Sequence, residues 1–211
     1  DDYFPCWPGG GPAYSRSHGN ELWVLLLEKA YAKLHGSYGA IKMGWAYEAM
    51  LDLSGCPYAT IRLEDPDVQE RIRSGAMWDE LVRWDDEGYV MSCSTPGEDV
   101  YTETGEKPEK SGSGLVAGHA YTLLSAKATS AGHKLVCLRN PWGNFEWQGA
   151  WSDNSELWTP QLREEVGADE VAEDDGKFWM CFEDVVAHFF SINVSMVDPQ
   201  GCINGEWFEK R

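Results

Sequence analysis

Two short runs hold the residues whose types and spacing could do chemistry: Gly118-His119-Ala120-Tyr121 and Arg139-Asn140-Pro141-Trp142-Gly143. Between them lie an apolar run (Tyr121 to Ala126), a small polar turn (Thr129 to Gly132) and a second apolar run (Leu135 to Leu138), which together spell a β-hairpin. The hairpin sets His119 and Asn140 near the same end of two paired strands. A histidine held by an asparagine carboxamide is the base half of a Cys-His-Asn constellation, in which the amide fixes the ring tautomer and the imidazole carries a thiol's proton. Gly118 and Gly143 allow close backbone approach beside the pair. The nucleophile must come from elsewhere.

The rest of the chain supplies the elements that position this hairpin. Residues 1 to 19 are rich in Pro and Gly and read as irregular surface loop. Asn20 is the expected N-cap of a helix ending before Gly36, with Glu21 in its first turn and Trp23, Leu26, Leu27, Ala30, Tyr31 and Leu34 as a core-facing stripe. The pattern loosens from Gly39 to Pro57. Residues 58 to 63 alternate as a strand, Asp65-Pro66-Asp67 opens a helix reaching about Trp84 with Gly75 weakening its middle, and Tyr89 to Ser94 is a strand. Thr95 to Gly114 reads as a long mobile loop. After the hairpin come a short helix near Pro160 to Val166, a strand from Lys177 to Phe182, a helical turn from Glu183 to His188 and a strand from Phe189 to Val197.

Composition narrows the class of function. The chain has 211 residues, 11 tryptophans and 43% hydrophobic residues, which is a folding composition. Its formal charge of −18 argues against nucleic acid as a partner, because neutralising phosphates needs a basic surface. Cys6, Cys56, Cys93, Cys137, Cys181 and Cys202 are scattered, without a Cys-x-x-Cys pair or zinc-like spacing, as suits a reducing compartment. No apolar run approaches the roughly 20 residues of a membrane span, and Asp1-Asp2-Tyr3-Phe4-Pro5 lacks the basic and apolar regions of a signal peptide. The expected location is the cytoplasm.

Asn140-Pro141-Trp142-Gly143 leads directly into Glu146-Trp147-Gln148-Gly149-Ala150-Trp151-Ser152-Asp153-Asn154, and Asp175-Gly176-Lys177-Phe178-Trp179-Met180 follows. In that order and spacing these segments resemble the calpain family of intracellular, calcium-regulated cysteine proteases. Upstream, Asn20-Glu21-Leu22-Trp23 and the run from Leu27 to Tyr38 resemble the same family. The resemblance spans roughly residues 1 to 200 and implies an α+β fold: the antiparallel β-rich half of a papain-like cysteine protease, preceded by a helix of the helical half. It divides the chain into 1–54, the end of the first protease subdomain with a hinge at Ser54-Gly55; 55–198, the second subdomain; and 199–211, the start of a linker to a β-sandwich. The chain has no initiating Met, and the resemblance opens in the middle of the family's protease core.

By resemblance His119 is the base, Asn140 its orienter, and Trp142 shields their hydrogen bond from water. The family's nucleophile lies upstream in a Gly-Asp-Cys-Trp motif, with the glutamine of the oxyanion hole, and this chain contains neither. None of its six cysteines has that context. The resemblance also implies calcium, with Glu146, Asp153, Asp175 and the carbonyl of Glu173 as ligands of one site and Glu21 as part of another; oxygen ligands from separated loops suit that ion. Lys177 departs from the pattern, standing where the family has a carboxylate. The implied partners are protein substrates and the remainder of the parent chain. Two other readings stay open: a non-catalytic scaffold or partner-binding module of the same ancestry, and a calcium-binding regulatory domain, although no EF-hand loop is present.

Overall fold

Strands that alternate apolar and polar residues must pair to satisfy their backbone, and those buried on both faces read as continuous apolar runs. The chain contains both kinds. A computed structural model describes residues 3–15, 21–98, 112–170, 173 and 175–197. It divides into two compact units, Asp1–Gly44 and Trp45–Arg211.

The first unit contains helix α1 (Trp23–Leu34) and a single 3-10 turn at Gly39–Ile41. The expected N-cap, Asn20, lies outside the described residues; the helix begins after Leu22, with no side-chain cap. Its buried positions are Leu25 and Ala32, whereas Trp23, Leu26, Leu27 and Leu34 of the expected core-facing stripe are exposed. The face that packs is the one carrying Leu25 and Glu28, which lines a small pocket with Phe4, Pro12, Tyr14 and Tyr38. Glu28 accepts the Ser15 hydroxyl at 2.7 Å, and Tyr14 stacks on Tyr38 at 4.6 Å.

The second unit is built on one antiparallel sheet: β1 (Tyr58–Arg62), β2 (Val90–Ser94), β3 (Ala120–Ala128), β4 (Lys134–Arg139), β5 (Lys177–Cys181) and β6 (Ser191–Ser195), in the spatial order β1-β6-β2-β3-β4-β5. Among the described residues five further helices accompany it: α2 (Ala46–Ser54), α3 (Pro66–Ser74), α4 (Ala76–Asp86), α5 (Pro160–Val166) and α6 (Phe182–His188). The class is therefore α+β. Among the described residues no helix is long and apolar enough to cross a membrane.

The sheet's alternation sorts residues onto two faces. Ile61, Met91, Cys93, Tyr121, Leu123, Val136, Leu138, Phe178, Met180, Ile192 and Val194 enter the main core, where Val68 of α3, Met77, Trp78 and Leu81 of α4, and Val185 of α6 meet them. On the opposite face Leu135, Cys137 and Trp179 join Trp151 and Val166 in a second core. β4 lies between the two, which is why it reads as an unbroken apolar run. At the other end of the sheet that face is polar: Thr60 donates to Asn193 Oδ1 at 2.9 Å, and Asn193 Nδ2 donates to Ser92 at 3.3 Å.

Three elements depart from the sequence reading. The single helix expected from Asp65 is two helices, because Gly75 takes a φ of 87° and turns the chain between them. The loosened stretch after Gly39 contains α2, none of whose residues is buried; with Leu51 and Leu53 both exposed it shows no single apolar stripe. Gly55 caps it at φ 65°, so Ser54-Gly55 is the end of this helix. β3 also carries a bulge between Leu123 and Ser125, where Asp85 Oδ2 accepts both Ser125 Oγ and Ala126 N–H at 3.0 Å. The tail expected to begin a linker, 199–211, lies outside the described residues.

Tyr121 joins the core to the start of β3. Its ring is fully buried, with Phe178 at 5.8 Å and Phe189 at 5.6 Å, and its hydroxyl accepts the Val116 N–H at 2.8 Å. Burial pushes its phenol up to about 12, so the hydroxyl stays neutral. Tyr121→Phe strands a buried N–H, and chemical denaturation should show a loss of about 1–3 kcal/mol.

Candidate active site

His119 immediately precedes β3 and Asn140 immediately follows β4, and antiparallel pairing of Thr122 with Arg139 brings the two to one end of the hairpin. His119 Nε2 lies 2.9 Å from Asn140 Oδ1. His119 is 8% exposed and Asn140 fully buried, so water competes little for that bond.

The protons can be assigned from fixed donors. Asn140 Oδ1 also accepts the Trp142 backbone N–H at 3.0 Å, and Nδ2 faces the Phe145 carbonyl at 3.4 Å. A backbone N–H can only donate, so the amide oxygen is the atom that faces it, and the histidine must then donate through Nε2. In the neutral ring this leaves the lone pair on Nδ1. The arrangement can therefore accept a proton at Nδ1 while the amide stabilises the resulting imidazolium through Nε2–H.

Neighbouring groups fix the histidine from three sides. Trp142 lies 4.1 Å from the imidazole at a tilt of 41°, and Tyr121 meets it edge-on at 5.1 Å. Thr95 holds its backbone: the hydroxyl accepts His119 N–H at 3.0 Å and donates to the Val116 carbonyl at 2.6 Å, while Thr95 N–H donates to the His119 carbonyl at 2.9 Å. Gly118 donates to the Pro96 carbonyl at 3.0 Å with a φ of 61°. Thr95 was expected in a mobile loop, yet it is 4% exposed; residues 99–111 of that stretch lie outside the described residues. A threonine at the end of a strand carries no local signal for such a role.

The Asn140 loop rests on Gly176. Asn140 N–H donates to the Gly176 carbonyl at 2.8 Å, and Gly176 N–H donates to Glu146 Oε1 at 2.7 Å. Gly143, at φ 72°, sits beside the same segment, and Phe145 takes a φ of 58°, uncommon for a non-glycine residue. Sequence reasoning did not single out Gly176 or Phe145.

Three of the residues implied as calcium ligands, Glu146, Asp175 and Glu21, have partners of other kinds. Asp175 Oδ1 accepts the Lys177 N–H at 2.8 Å, and the Lys177 ammonium is ion-paired with Asp169. Burial first, then the charge of Asp175, holds the Asp153 carboxyl above its usual range, while Arg163 opposes the rise. The hydrogen bond to Asp169, foremost, keeps Lys177 above its usual value. Glu173 is exposed. In the first unit, Glu21 accepts the Trp23 indole N–H at 3.1 Å. Among the described residues, no group of three or more His, Cys, Asp or Glu side chains is arranged to hold a metal ion. With Glu146 on Gly176 and a lysine in the cluster, the folded arrangement does not fit a divalent cation.

Three of the thiols in the second unit, Cys93, Cys137 and Cys181, do not suit nucleophilic attack, which requires thiolate. Burial raises Cys93 strongly and pushes Cys137 up to about 12, and burial with the Asp184 carboxylate pushes Cys181 up to about 11.

A buried histidine whose tautomer is set by an asparagine thus sits at one end of a hairpin, in an antiparallel sheet packed against helices. The family model described as calpain family cysteine protease matches residues 1–196, and the chain belongs to that family. It is 40% identical, over 98% of its length, to the calpain-type cysteine protease ADL1 of Oryza sativa subsp. japonica and to the calpain-type cysteine protease DEK1 of Arabidopsis thaliana. It is 35% identical, over its whole length, to calpain-14 of Homo sapiens. The chain spans 9% of each plant protein and 29% of the human one.

Proposed function

We propose that this chain is the His-Asn half of a cysteine endopeptidase, with His119 as general base and acid and Asn140 as its orienter. The observation that carries this reading is the 2.9 Å contact between His119 Nε2 and an Asn140 oxygen whose identity the Trp142 N–H fixes. Nδ1 takes the thiol's proton, the thiolate attacks the peptide carbonyl, and the imidazolium returns the proton to the leaving amine. Trp142 covers the His-Asn bond and keeps water from it. Gly118 and Gly143 let backbone approach the cleft. The thiol and the oxyanion donors come from protein outside these residues, in keeping with the small share of its relatives that the chain spans.

In this reading residues 1–54 end the helical subdomain, 55–198 form the second and 199–211 begin a linker. The substrates are intracellular proteins cleaved at limited positions in the cytoplasm. No step runs through calcium: the ion implied by the resemblance would act at the edge of Glu146, Asp153 and Asp175, where Lys177 already stands. A non-catalytic scaffold is the second reading, favoured by the lack of a Gly-Asp-Cys-Trp motif in the chain and by Lys177 standing where the resemblance implies a carboxylate.

The chain alone should not hydrolyse peptides, because imidazole without thiolate offers only weak general-base help. Thiol-dependent turnover by the purified chain, lost on mutating one of its six cysteines, would overturn the placement of the nucleophile. In the parent protein a thiol-directed peptidyl epoxide should label a cysteine outside these residues. Absence of labelling would favour the scaffold.

A further inference from the structure

The loop that carries Asn140 is clasped at both ends by one residue. Gly176 accepts from the Asn140 N–H at 2.8 Å and donates to Glu146 Oε1 at 2.7 Å, so its peptide groups bridge the first and last residues of segment 140–146. Directly beyond it the chain places its own positive charge. Lys177 pairs with Asp169, and the Arg163 guanidinium donates to the backbone carbonyls of both Asp153 and Asp169. Glu146 thus meets a peptide N–H, and the acidic edge meets a lysine and an arginine.

We propose that Lys177, backed by Arg163, is the resident cation of this edge and that Glu146 is a positioning residue for Asn140, so that the site is held assembled without a divalent ion. The proposal rests on the His119-Asn140 reading of the site. Like charges left unpaired on Asp153, Asp169 and Asp175 would push the surrounding loops apart, and a divalent ion is one remedy. A tethered ammonium is another. It costs no ion-binding equilibrium, and it ties the geometry of Gly176 to an event in folding instead of a change in calcium concentration.

The test uses the 211-residue chain labelled with 15N-histidine, observing the His119 imidazole by NMR with chelator and with saturating calcium, alongside calorimetric titration of calcium. The native chain should show the same Nε2–H signature in both conditions and bind calcium weakly. Lys177→Arg should behave as the native chain. Lys177→Glu should make the signature calcium-dependent and tighten calcium binding at least about tenfold, since affinity follows ligand charge. Glu146→Gln, which keeps an accepting oxygen, should preserve the signature, and Glu146→Ala should lose it with or without calcium.

A native His119 signal that switches between chelator and calcium, or tight binding abolished by Asp153→Ala, overturns the proposal. If Lys177→Glu does not fold, the native comparison and Lys177→Arg still decide. The protease reading fails separately: a parent protein without peptidase activity sinks it, yet leaves the calcium-independent His119 signature intact. A His119 ring protonated at Nδ1 instead of Nε2 sinks both.

Discussion

In the parent protein, His119→Ala should lower kcat/KM for a peptide substrate by on the order of 10⁴-fold or more, with little change in KM. The size follows from the role. Without the imidazole no group draws the proton from the thiol, and none returns it to the amine, so both halves of the reaction lose their proton carrier. Asn140→Ala should be milder, about 10- to 100-fold, because Tyr121 and Trp142 still confine the ring from two sides and the amide's contribution is orientation. Steady-state rates on one fluorogenic peptide separate the two variants. Near-normal turnover by His119→Ala would mean that the parent is another kind of enzyme or none.

Gly176→Ala should cost the parent protein about 100-fold in kcat, as much as Asn140→Ala, although the residue touches no reacting atom. A Cβ there would lie 2.6 Å from the Asn140 carbonyl oxygen and 2.9 Å from the Gly143 Cα. Both obstacles are backbone, so no side chain can swing away. The φ of 86° adds about 1–2 kcal/mol of strain for any residue with a Cβ. The segment 140–143 must shift, and a displacement on the order of 1 Å at a catalytic group can cost about 100-fold in rate. The variant should therefore melt lower than the native chain and lose kcat in preference to KM. Unchanged melting and unchanged kcat would show that the loop finds another seat.

The hairpin and its two ends were legible in the sequence because they rest on local signals: strand periodicity, a polar turn, and a histidine and an asparagine at matching ends. What stayed hidden depends on long-range contact. Thr95 looks like any loop threonine until β2 is laid beside β3, and Gly176 looks like a turn glycine until the Asn140 loop folds back onto it. α1 shows a second kind of failure. Trp23, Leu26, Leu27 and Leu34 do share a face, but periodicity reports only that a face is apolar, and in this structure Leu25 and Ala32 are the residues covered. Lys177 is a third kind, since its placement in the series was readable but its pairing with Asp169 was not.

The strand order carries a consequence for how the sheet is made. Among the described residues β6 is the last strand; it lies between β1 and β2, and β1 pairs with no other described strand. As the polypeptide leaves the ribosome, β3 and β4 can close as a hairpin early, whereas β1 must wait for Ser191–Ser195 to emerge. Until then the edge of β2 offers unpaired N–H and C=O groups to any passing strand. Pairing of such high sequence separation is slow, so maturation of the sheet should end with insertion of β6, and chains cut just before Ser191 should aggregate even though the His119-Asn140 hairpin is already complete.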